Sequence, residues 1–177
     1  MLDLCTGSGC IAWTVALSVP GVSVTGVDIS EGALKTASGQ KFSSILKERG
    51  AVAPTFVKAD ILDLESVFTE GKFDVIVSNP PYIMESEKPL LRTNVLSYEP
   101  ALALFVPDED PLVFYRAIAH WSQTLLVPEG KGLTEINDVL GKETSSLFKE
   151  AGFSGVDIVK DFYDRNRFIF YSKPKAQ

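Results

Sequence analysis

Short runs rich in β-branched and aromatic residues alternate along the chain with stretches whose apolar residues recur at helical spacing. The helical stretches are 9–18, 31–49, 112–126 and 138–151. The predicted strands are 22–28, 55–60, 73–78, 132–137, 156–161 and 167–173. Because parallel strands need a long crossover connection, this alternation predicts an α/β protein with a doubly wound, mostly parallel sheet.

The two ends of this pattern differ from its middle. Only FYDRN separates the last two strand runs, so they are expected to form an antiparallel hairpin at the end of the sheet. At the front, MLDL gives a first strand that is short beside the roughly five or six residues of a typical strand. We therefore expect residues 1–177 to form one domain, and we expect an N-terminal domain to be missing from this sequence.

Composition excludes several classes of protein. The 177 residues are 45% hydrophobic and 23% charged, as in a globular domain. Neither a membrane span nor a signal peptide is predicted, so a cytoplasmic protein is expected. The net charge of −6 disfavours nucleic acid as a partner. Cys5, Cys10 and the single histidine, His120, form no metal or disulfide pattern, and both thiols are expected to be buried.

The segment LDLCTGSGCIA, residues 2–12, predicts a strand, a glycine turn at Gly7 and Gly9, and the start of a helix. Such a turn lets a ligand approach the backbone at the positive end of the helix. Asp28 ends the next strand, nineteen residues after Gly9, where a carboxylate can accept hydrogen bonds from ribose hydroxyls. Together these features predict a nucleoside site.

Two further acidic positions bear on which nucleoside binds. Asp60, which follows the third strand run, can accept from an adenine amino group, and Ile61 can pack on the adenine ring. Ala12 satisfies the relaxed form of a dinucleotide motif, so the glycine turn alone leaves NAD open. Asp3 would repel a pyrophosphate but can pair with the ammonium group of a methionine-like tail. S-adenosylmethionine, with S-adenosylhomocysteine as its product, is therefore the favoured cofactor.

The fourth strand run leads directly into Asn79, Pro80, Pro81 and Tyr82. Two prolines stop the strand and hold the side-chain oxygen of Asn79 and the carbonyl of Pro80 as a fixed pair of acceptors. Two acceptors suit one NH2 group with a delocalised lone pair, because they orient the nitrogen towards a sulfonium methyl group and stabilise its developing charge. Tyr82 is expected to stack on the planar group.

In this order, five segments resemble the Rossmann-type catalytic domain of the release-factor N5-glutamine methyltransferases, the HemK-like enzymes: LDLCTGSGCIA, VTGVDIS, FDVIVSNPPYI, YEPALALF and FYRAI. The similarity covers nearly the whole chain. Asn-Pro-Pro-Tyr is shared with N6-adenine and some guanine-N2 methyltransferases, so YEPALALF, residues 98–105, is the more discriminating segment. The resemblance implies methyl transfer to the glutamine side chain in the Gly-Gly-Gln motif of peptide chain release factors.

The resemblance also implies site residues. The methionine portion of the cofactor would be lined by Thr6, Gly7, Ser8 and Gly9. The remaining cofactor contacts would be Asp3, Cys5, Asp28, Ile29, Asp60, Ile61 and Asn79. The substrate contacts would be Asn79, Pro80, Pro81, Tyr82 and Glu99, of which Asn79, Pro80 and Tyr82 would act in catalysis.

Three expectations follow from the departures and gaps in this pattern. Family members usually have glycine where this chain has Cys5. Because cysteine rarely adopts a positive φ, this change implies that the backbone at position 5 does not need one. Residues 82–111 show no clear regular structure and are expected to be a functional loop or lid. The family's helical domain, which helps to grip the release factor, is expected to be missing here, so a cofactor-binding domain that needs a partner is one alternative. The shared Asn-Pro-Pro-Tyr motif leaves a second alternative, an N6-adenine or guanine-N2 nucleic-acid methyltransferase.

Overall fold

The computed structural model describes residues 1–63, 73–91 and 99–176. Its strands are β1 (Leu2–Leu4), β2 (Thr25–Asp28), β3 (Thr55–Lys58), β4 (Phe73–Ser78), β5 (Ile83–Met84), β6 (Phe105–Val106), β7 (Leu126–Glu135), β8 (Ser154–Lys160) and β9 (Asn166–Ser172). Its α-helices are α1 (Cys10–Ser18), α2 (Glu31–Ser38), α3 (Ser43–Arg49), α4 (Ala101–Leu104), α5 (Val113–Leu125) and α6 (Gly141–Glu150). Two 3₁₀ helices cover Glu85–Leu90 and Asp138–Leu140.

Seven strands form one sheet in the order β3-β2-β1-β4-β7-β9-β8. Strands β3, β2, β1, β4 and β7 pair in parallel, while β9 runs antiparallel to both β7 and β8. The predicted doubly wound fold and its terminal hairpin are confirmed. The winding direction reverses between β1 and β4, and ligands bind such sheets outside the carboxyl ends of the strands at the reversal.

The core covers the central strands. Leu2, Leu4 and Ile76 are fully buried, as expected for strands with helices packed on the sheet. Helix α5 buries residues three or four positions apart, including Tyr115, Ile118 and Leu125, and this spacing accounts for its helical signal. The central strands therefore form a rigid base whose carboxyl ends hold the loops described below.

Several predicted segments differ from the structure. The predicted strand 132–137 belongs to the longer β7, which begins at Leu126 and ends at Glu135. The predicted helix 31–49 divides into α2 and α3 at Gly39, a residue that favours helix ends over helix interiors. The described part of 82–111 is more regular than expected, because β5 pairs in parallel with β6, in the register Ile83 to Phe105. Strands of two residues are too short to produce a periodic pattern in the sequence.

In the ranges that the structure describes, none of the helices combines the length and the apolar character needed to cross a lipid bilayer.

Candidate active site

A cavity of about 620 Å³ lies at the carboxyl ends of the parallel strands. This volume falls within the range of small-molecule sites, roughly 300 to 1,000 Å³. Ten predicted site residues line it: Cys5, Gly7, Ser8, Asp28, Ile29, Asp60, Ile61, Asn79, Pro81 and Glu99. Ten further lining residues were not predicted: Ser30, Gly32, Ala33, Thr36, Ala59, Leu62, Pro100, Leu102, Ala103 and Phe114.

The two glycines of the turn after β1 have different roles. Gly7 has a φ of 57°, and a Cβ atom there would meet nothing within 4 Å, so its backbone is open to a ligand. Gly9 has a φ of 82° and caps α1; its Cβ would approach Phe56 to 3.0 Å and Trp13 to 3.1 Å. Gly9 is therefore required for packing, and neither it nor Thr6 belongs to the cavity wall.

Cys5 corrects one expectation from the sequence. Its φ is 59°, so the backbone at position 5 does adopt the left-handed conformation that glycine accommodates best. Burial raises the pKa of the Cys5 thiol, which keeps it protonated and unreactive. Cys5 is only partly buried and Cys10 is exposed, contrary to the expectation that both thiols are buried, and neither forms a disulfide.

The Cys5→Gly variant should be more stable than the Cys5→Ala variant. Within a helix or strand the order is the reverse, because glycine there is destabilising by about 0.5–1 kcal/mol relative to alanine. Both Cys5→Gly and Cys5→Ala remove the thiol, but only glycine relieves the left-handed backbone, which costs an L-residue about 1–2 kcal/mol. Urea unfolding of the two variants measures the difference. A more stable alanine variant would show that position 5 carries no backbone strain.

Asp28 organises the wall next to the glycine turn. Its Oδ2 accepts from the backbone amide of Gly7 at 2.8 Å, and its Oδ1 accepts from the amide of Ser30 at 2.9 Å. The Ser30 hydroxyl caps α2 by accepting from the amide of Ala33 at 3.2 Å. Each carboxylate oxygen has capacity for another donor, so Asp28 can accept from two hydroxyl groups of a bound sugar.

Asp3 is fully buried beneath this turn and does not line the cavity. Its Oδ2 accepts from the Thr6 hydroxyl at 2.6 Å, while Oδ1 has no hydrogen-bond partner among the described residues. Burial raises the pKa of Asp3 from 3.8 to about 6, although the bond from Thr6 and the nearby backbone amide of Ala12 lower it. The side chain is thus a buried acid.

The raised pKa of Asp3 predicts a specific pH dependence of stability. Between pH 3.8 and about 6 the native state binds more protons at this site than the unfolded state does. The free energy of unfolding therefore falls as pH rises through this window, by on the order of 2 kcal/mol. Urea unfolding of the wild type and Asp3→Asn from pH 4 to 7 should show this loss only in the wild type. Parallel pH profiles would contradict it.

Asp60 and Ile61 follow the end of β3, the edge strand that pairs with the strand carrying Asp28. Asp60 Oδ1 accepts from the amide of Leu62 at 2.9 Å, which fixes the carboxylate at the cavity wall. Ile61 is buried, and its carbonyl accepts from Trp121 Nε1 at 3.0 Å. Trp121 of α5 therefore anchors this segment of the wall from the core.

The turn Asn79–Tyr82, which we call the acceptor turn, leaves the end of β4. It is anchored at its start by the Ser78 hydroxyl, which donates to the carbonyl of Leu4 at 2.9 Å. Pro80 and Pro81 are buried, whereas Asn79 is exposed at the cavity. No described residue hydrogen-bonds to the Asn79 side chain, so its oxygen and nitrogen are available to a ligand.

Tyr82 lies outside the cavity wall. Its hydroxyl donates to Glu135 Oε1 at 2.8 Å, and burial together with this carboxylate raises the pKa of Tyr82 to about 12. The ring packs against the main hydrophobic core. Stacking of Tyr82 on a substrate stays a prediction, while its contacts in the structure are those of an anchor for the acceptor turn.

The segment YEPALALF forms the opposite wall from Glu99 onward, and Tyr98 lies outside the described residues. Glu99, an expected substrate contact, lines the cavity together with Pro100, Leu102 and Ala103. Leu102 is exposed, and it was missed because a four-residue helix has no recognisable amphipathic pattern. Phe114 was not predicted because the apolar pattern of the helical stretch 112–126 indicates only a face packed on the core.

The charges of the cavity wall are of one sign. Asp28, Asp60 and Glu99 are its only charged residues in the described ranges, and lysine and arginine are absent from it there. Such a wall repels phosphate groups and favours a neutral or cationic ligand. This charge pattern supports the preference for a nucleoside with a cationic tail over a dinucleotide.

Comparisons with known proteins agree with this geometry. Residues 1–152 match the family model described as a methyltransferase domain. Two curated relatives are the release factor glutamine methyltransferases of Flavobacterium psychrophilum, 45% identical over 96% of this chain, and of Bacteroides thetaiotaomicron, 40% identical over 96%. They confirm the resemblance stated from the sequence. The chain spans 56% and 58% of their lengths, respectively.

A solved structure supports the fold. A methyltransferase from Pyrococcus furiosus superposes with a TM-score of 0.63 at 18% identity, covering 98% of this chain and 74% of that one. The family model, which covers residues 1–152, includes the parallel strands and all the residues that line the cavity, and it ends before β8 and β9. The chain therefore belongs to the methyltransferase domain family.

Proposed function

We propose that the chain transfers a methyl group from S-adenosylmethionine to the side-chain amide nitrogen, N5, of glutamine in the Gly-Gly-Gln motif of peptide chain release factors. The observation that carries this proposal is the free Asn79 side chain at the cavity, held on a turn of two buried prolines. The names of the curated relatives support the choice of substrate. A cytoplasmic location belongs to the same proposal.

The residues of the cavity fit this cofactor. Asp28 would hold the ribose hydroxyls and Asp60 the adenine amino group, while the open backbone of Gly7 leaves room for the methionine tail. The buried Asp3 carries negative charge beneath the turn, which favours a cationic ligand in the cavity without touching it. When bound, S-adenosylmethionine supplies an electrophilic methyl group on a sulfonium centre.

The acceptor turn would orient the glutamine amide. The Asn79 side-chain oxygen and the Pro80 carbonyl would accept the two N–H bonds of the amide, which fixes the nitrogen and favours the positive charge that develops on it. Because the prolines restrict the backbone, the two acceptors lose little entropy when the substrate binds. The walls carrying Glu99 and Phe114 would exclude water from the amide.

The product needs no strong base from this chain. An amide nitrogen that has gained a methyl group is strongly acidic, and water can take its proton. Tyr82 is unsuited to that role because its pKa is raised to about 12 and its hydroxyl already donates to Glu135. Its contribution is to hold the turn.

Incubation with a purified release factor and methyl-labelled S-adenosylmethionine tests the proposal. One label should appear on the Gly-Gly-Gln glutamine, and a release factor with glutamate at that position should take up none. Label on adenine or guanine of DNA or RNA, added in parallel, would overturn the assignment. A chain that binds cofactor but acts only when fused to the additional length of its relatives would support the alternative of a domain that needs a partner.

A further inference from the structure

Asn137, which directly follows β7 and Ile136, has every side-chain hydrogen-bonding group occupied. Its side chain is buried, with 6% of the residue exposed. Its Nδ2 donates to the carbonyl of Tyr82 at 3.1 Å and to Glu87 Oε2 at 2.7 Å, and its Oδ1 accepts from the amide of Val139 at 3.1 Å. The backbone amide of Asn137 donates to the Tyr115 hydroxyl at 3.0 Å.

These bonds join three parts of the molecule. Tyr82 ends the acceptor turn, and Glu87 belongs to the 3₁₀ helix that follows β5. Glu87 Oε2 also accepts from the amide of Met84 at 2.9 Å. Asn137 therefore binds the residue before β5, and Glu87, which Asn137 also binds, holds the last residue of β5. Strand β5 itself pairs over only two residues, so it provides little support of its own.

The bond to Tyr82 bears directly on the two acceptors. Pro80 and Pro81 have restricted φ angles, so fixing the Tyr82 carbonyl limits the positions that the Pro80 carbonyl can take. The upstream end of the turn is already fixed by the Ser78 bond to Leu4. Asn137 therefore supplies, together with the Tyr82 hydroxyl bond, the second fixed end that an oriented pair of acceptors needs.

We propose that Asn137 is a positioning residue for methyl transfer, which acts by holding the Tyr82 carbonyl and through it the acceptor turn. This inference rests on the proposed function for its turnover readout. It differs from a simple helix cap, because the cap of Asp138–Leu140 uses only the Asn137 oxygen. The two N–H groups donate to the Tyr82 carbonyl and to Glu87, and these bonds do not contribute to capping.

Replacement of Asn137 by aspartate separates the capping role from the positioning role. The Asn137→Asp variant keeps the capping oxygen, and aspartate caps helices as well as asparagine does. It loses both donors and places a carboxylate against Glu87 and the Tyr82 carbonyl. We expect turnover on release factor to fall about tenfold to 100-fold, because small displacements of a reacting geometry have effects of this size. Calorimetric affinity for S-adenosylmethionine should stay unchanged.

The double variant Asn137→Asp with Glu87→Gln distinguishes the two donor bonds. The glutamine amide can donate to the new aspartate, which restores the link to the 3₁₀ helix, while the Tyr82 carbonyl still lacks its donor. Thermal stability should therefore recover and turnover should not. Hydrogen exchange of the amides in 82–87 should be faster than in the wild type in both variants.

A matched control is Asn166→Asp. Asn166 Nδ2 donates to the carbonyl of Asp138 at 3.0 Å, on the same 3₁₀ helix but without any bond to the acceptor turn. This variant should lose stability without losing turnover. Equal loss of turnover in the control, or full turnover in the double variant, would overturn the role of Asn137.

The outcome remains separable from the proposed function. A wild-type chain that leaves release factors unlabelled would count against the substrate, yet the exchange rates would still decide whether Asn137 holds the turn. Unchanged exchange at 82–87 in Asn137→Asp would refute the positioning role even if release factor were methylated.

Discussion

Replacing Asn79 by alanine should lower turnover on release factor by about 10²–10³-fold, the usual effect of removing one group that stabilises developing charge. Asn79 is exposed at the cavity, and none of the described residues needs its side chain for a structural hydrogen bond. The substitution therefore removes an acceptor for the substrate NH2 group without a matching loss of stability. Single-turnover rates with labelled cofactor and calorimetric affinities on the same preparation measure the two effects.

Asn79→Asp is the informative companion to the alanine variant. Aspartate keeps an acceptor oxygen in nearly the same place but lacks the amide donor. If acceptance of N–H bonds is what matters, this variant should retain clearly more turnover than alanine. Alanine and aspartate variants that lose turnover equally would argue for a donor role of Asn79, and loss of cofactor affinity in proportion to turnover would argue for a cofactor contact instead.

The order of the sheet could be predicted only in part from the sequence. Strand runs such as 73–78 were located because they alternate with helices, and β4 has those bounds. The position of β9 between β7 and β8 could not be predicted, because hairpin patterning shows that two strands pair but not which of them meets the sheet. The two-residue strands β5 and β6 lie below the length at which a period can be recognised.

Lining residues of the candidate site could be predicted from the sequence where they depend on residue type at a strand end. Asp28, Asp60 and Asn79 each lie at or just beyond the end of a parallel strand, and all three line the cavity. Roles that depend on three-dimensional packing could not be predicted in the same way. The left-handed backbone of Cys5, the anchoring bond of Tyr82 to Glu135 and the buried bonds of Asn137 arise from contacts between distant parts of the chain.

A chain of partly buried polar residues links the acceptor turn to β7 and to Arg167 of β9. Tyr82 donates to Glu135, and Glu135 lies 3.7 Å from Arg167, which in turn donates to Asp161 at 3.0 Å. Each partner is satisfied, so the network can hold the turn without leaving an unpaired charge. Rigid support of this kind is what a pair of fixed acceptors requires.

Replacing Asp28 by alanine should weaken S-adenosylmethionine binding by about 10²–10⁴-fold, since two hydrogen bonds from ribose hydroxyls to a charged group contribute about 1.5–3 kcal/mol each. The loss also removes the acceptors for the amides of Gly7 and Ser30, which shape the glycine turn. At saturating cofactor the remaining turnover should fall much less than affinity, the reverse of the pattern expected for Asn79→Ala.

Glu31→Ala is the matched control for Asp28→Ala. Glu31 lies three residues further along, pairs with Lys58 at the surface, and does not line the cavity. Its removal takes the same charge from the same region, so cofactor affinity should be preserved if Asp28 acts by direct hydrogen bonding. Calorimetry with S-adenosylmethionine and S-adenosylhomocysteine on both variants decides the matter. Equal weakening by the two substitutions would mean that general electrostatic attraction, and not the ribose contact, explains the effect of Asp28.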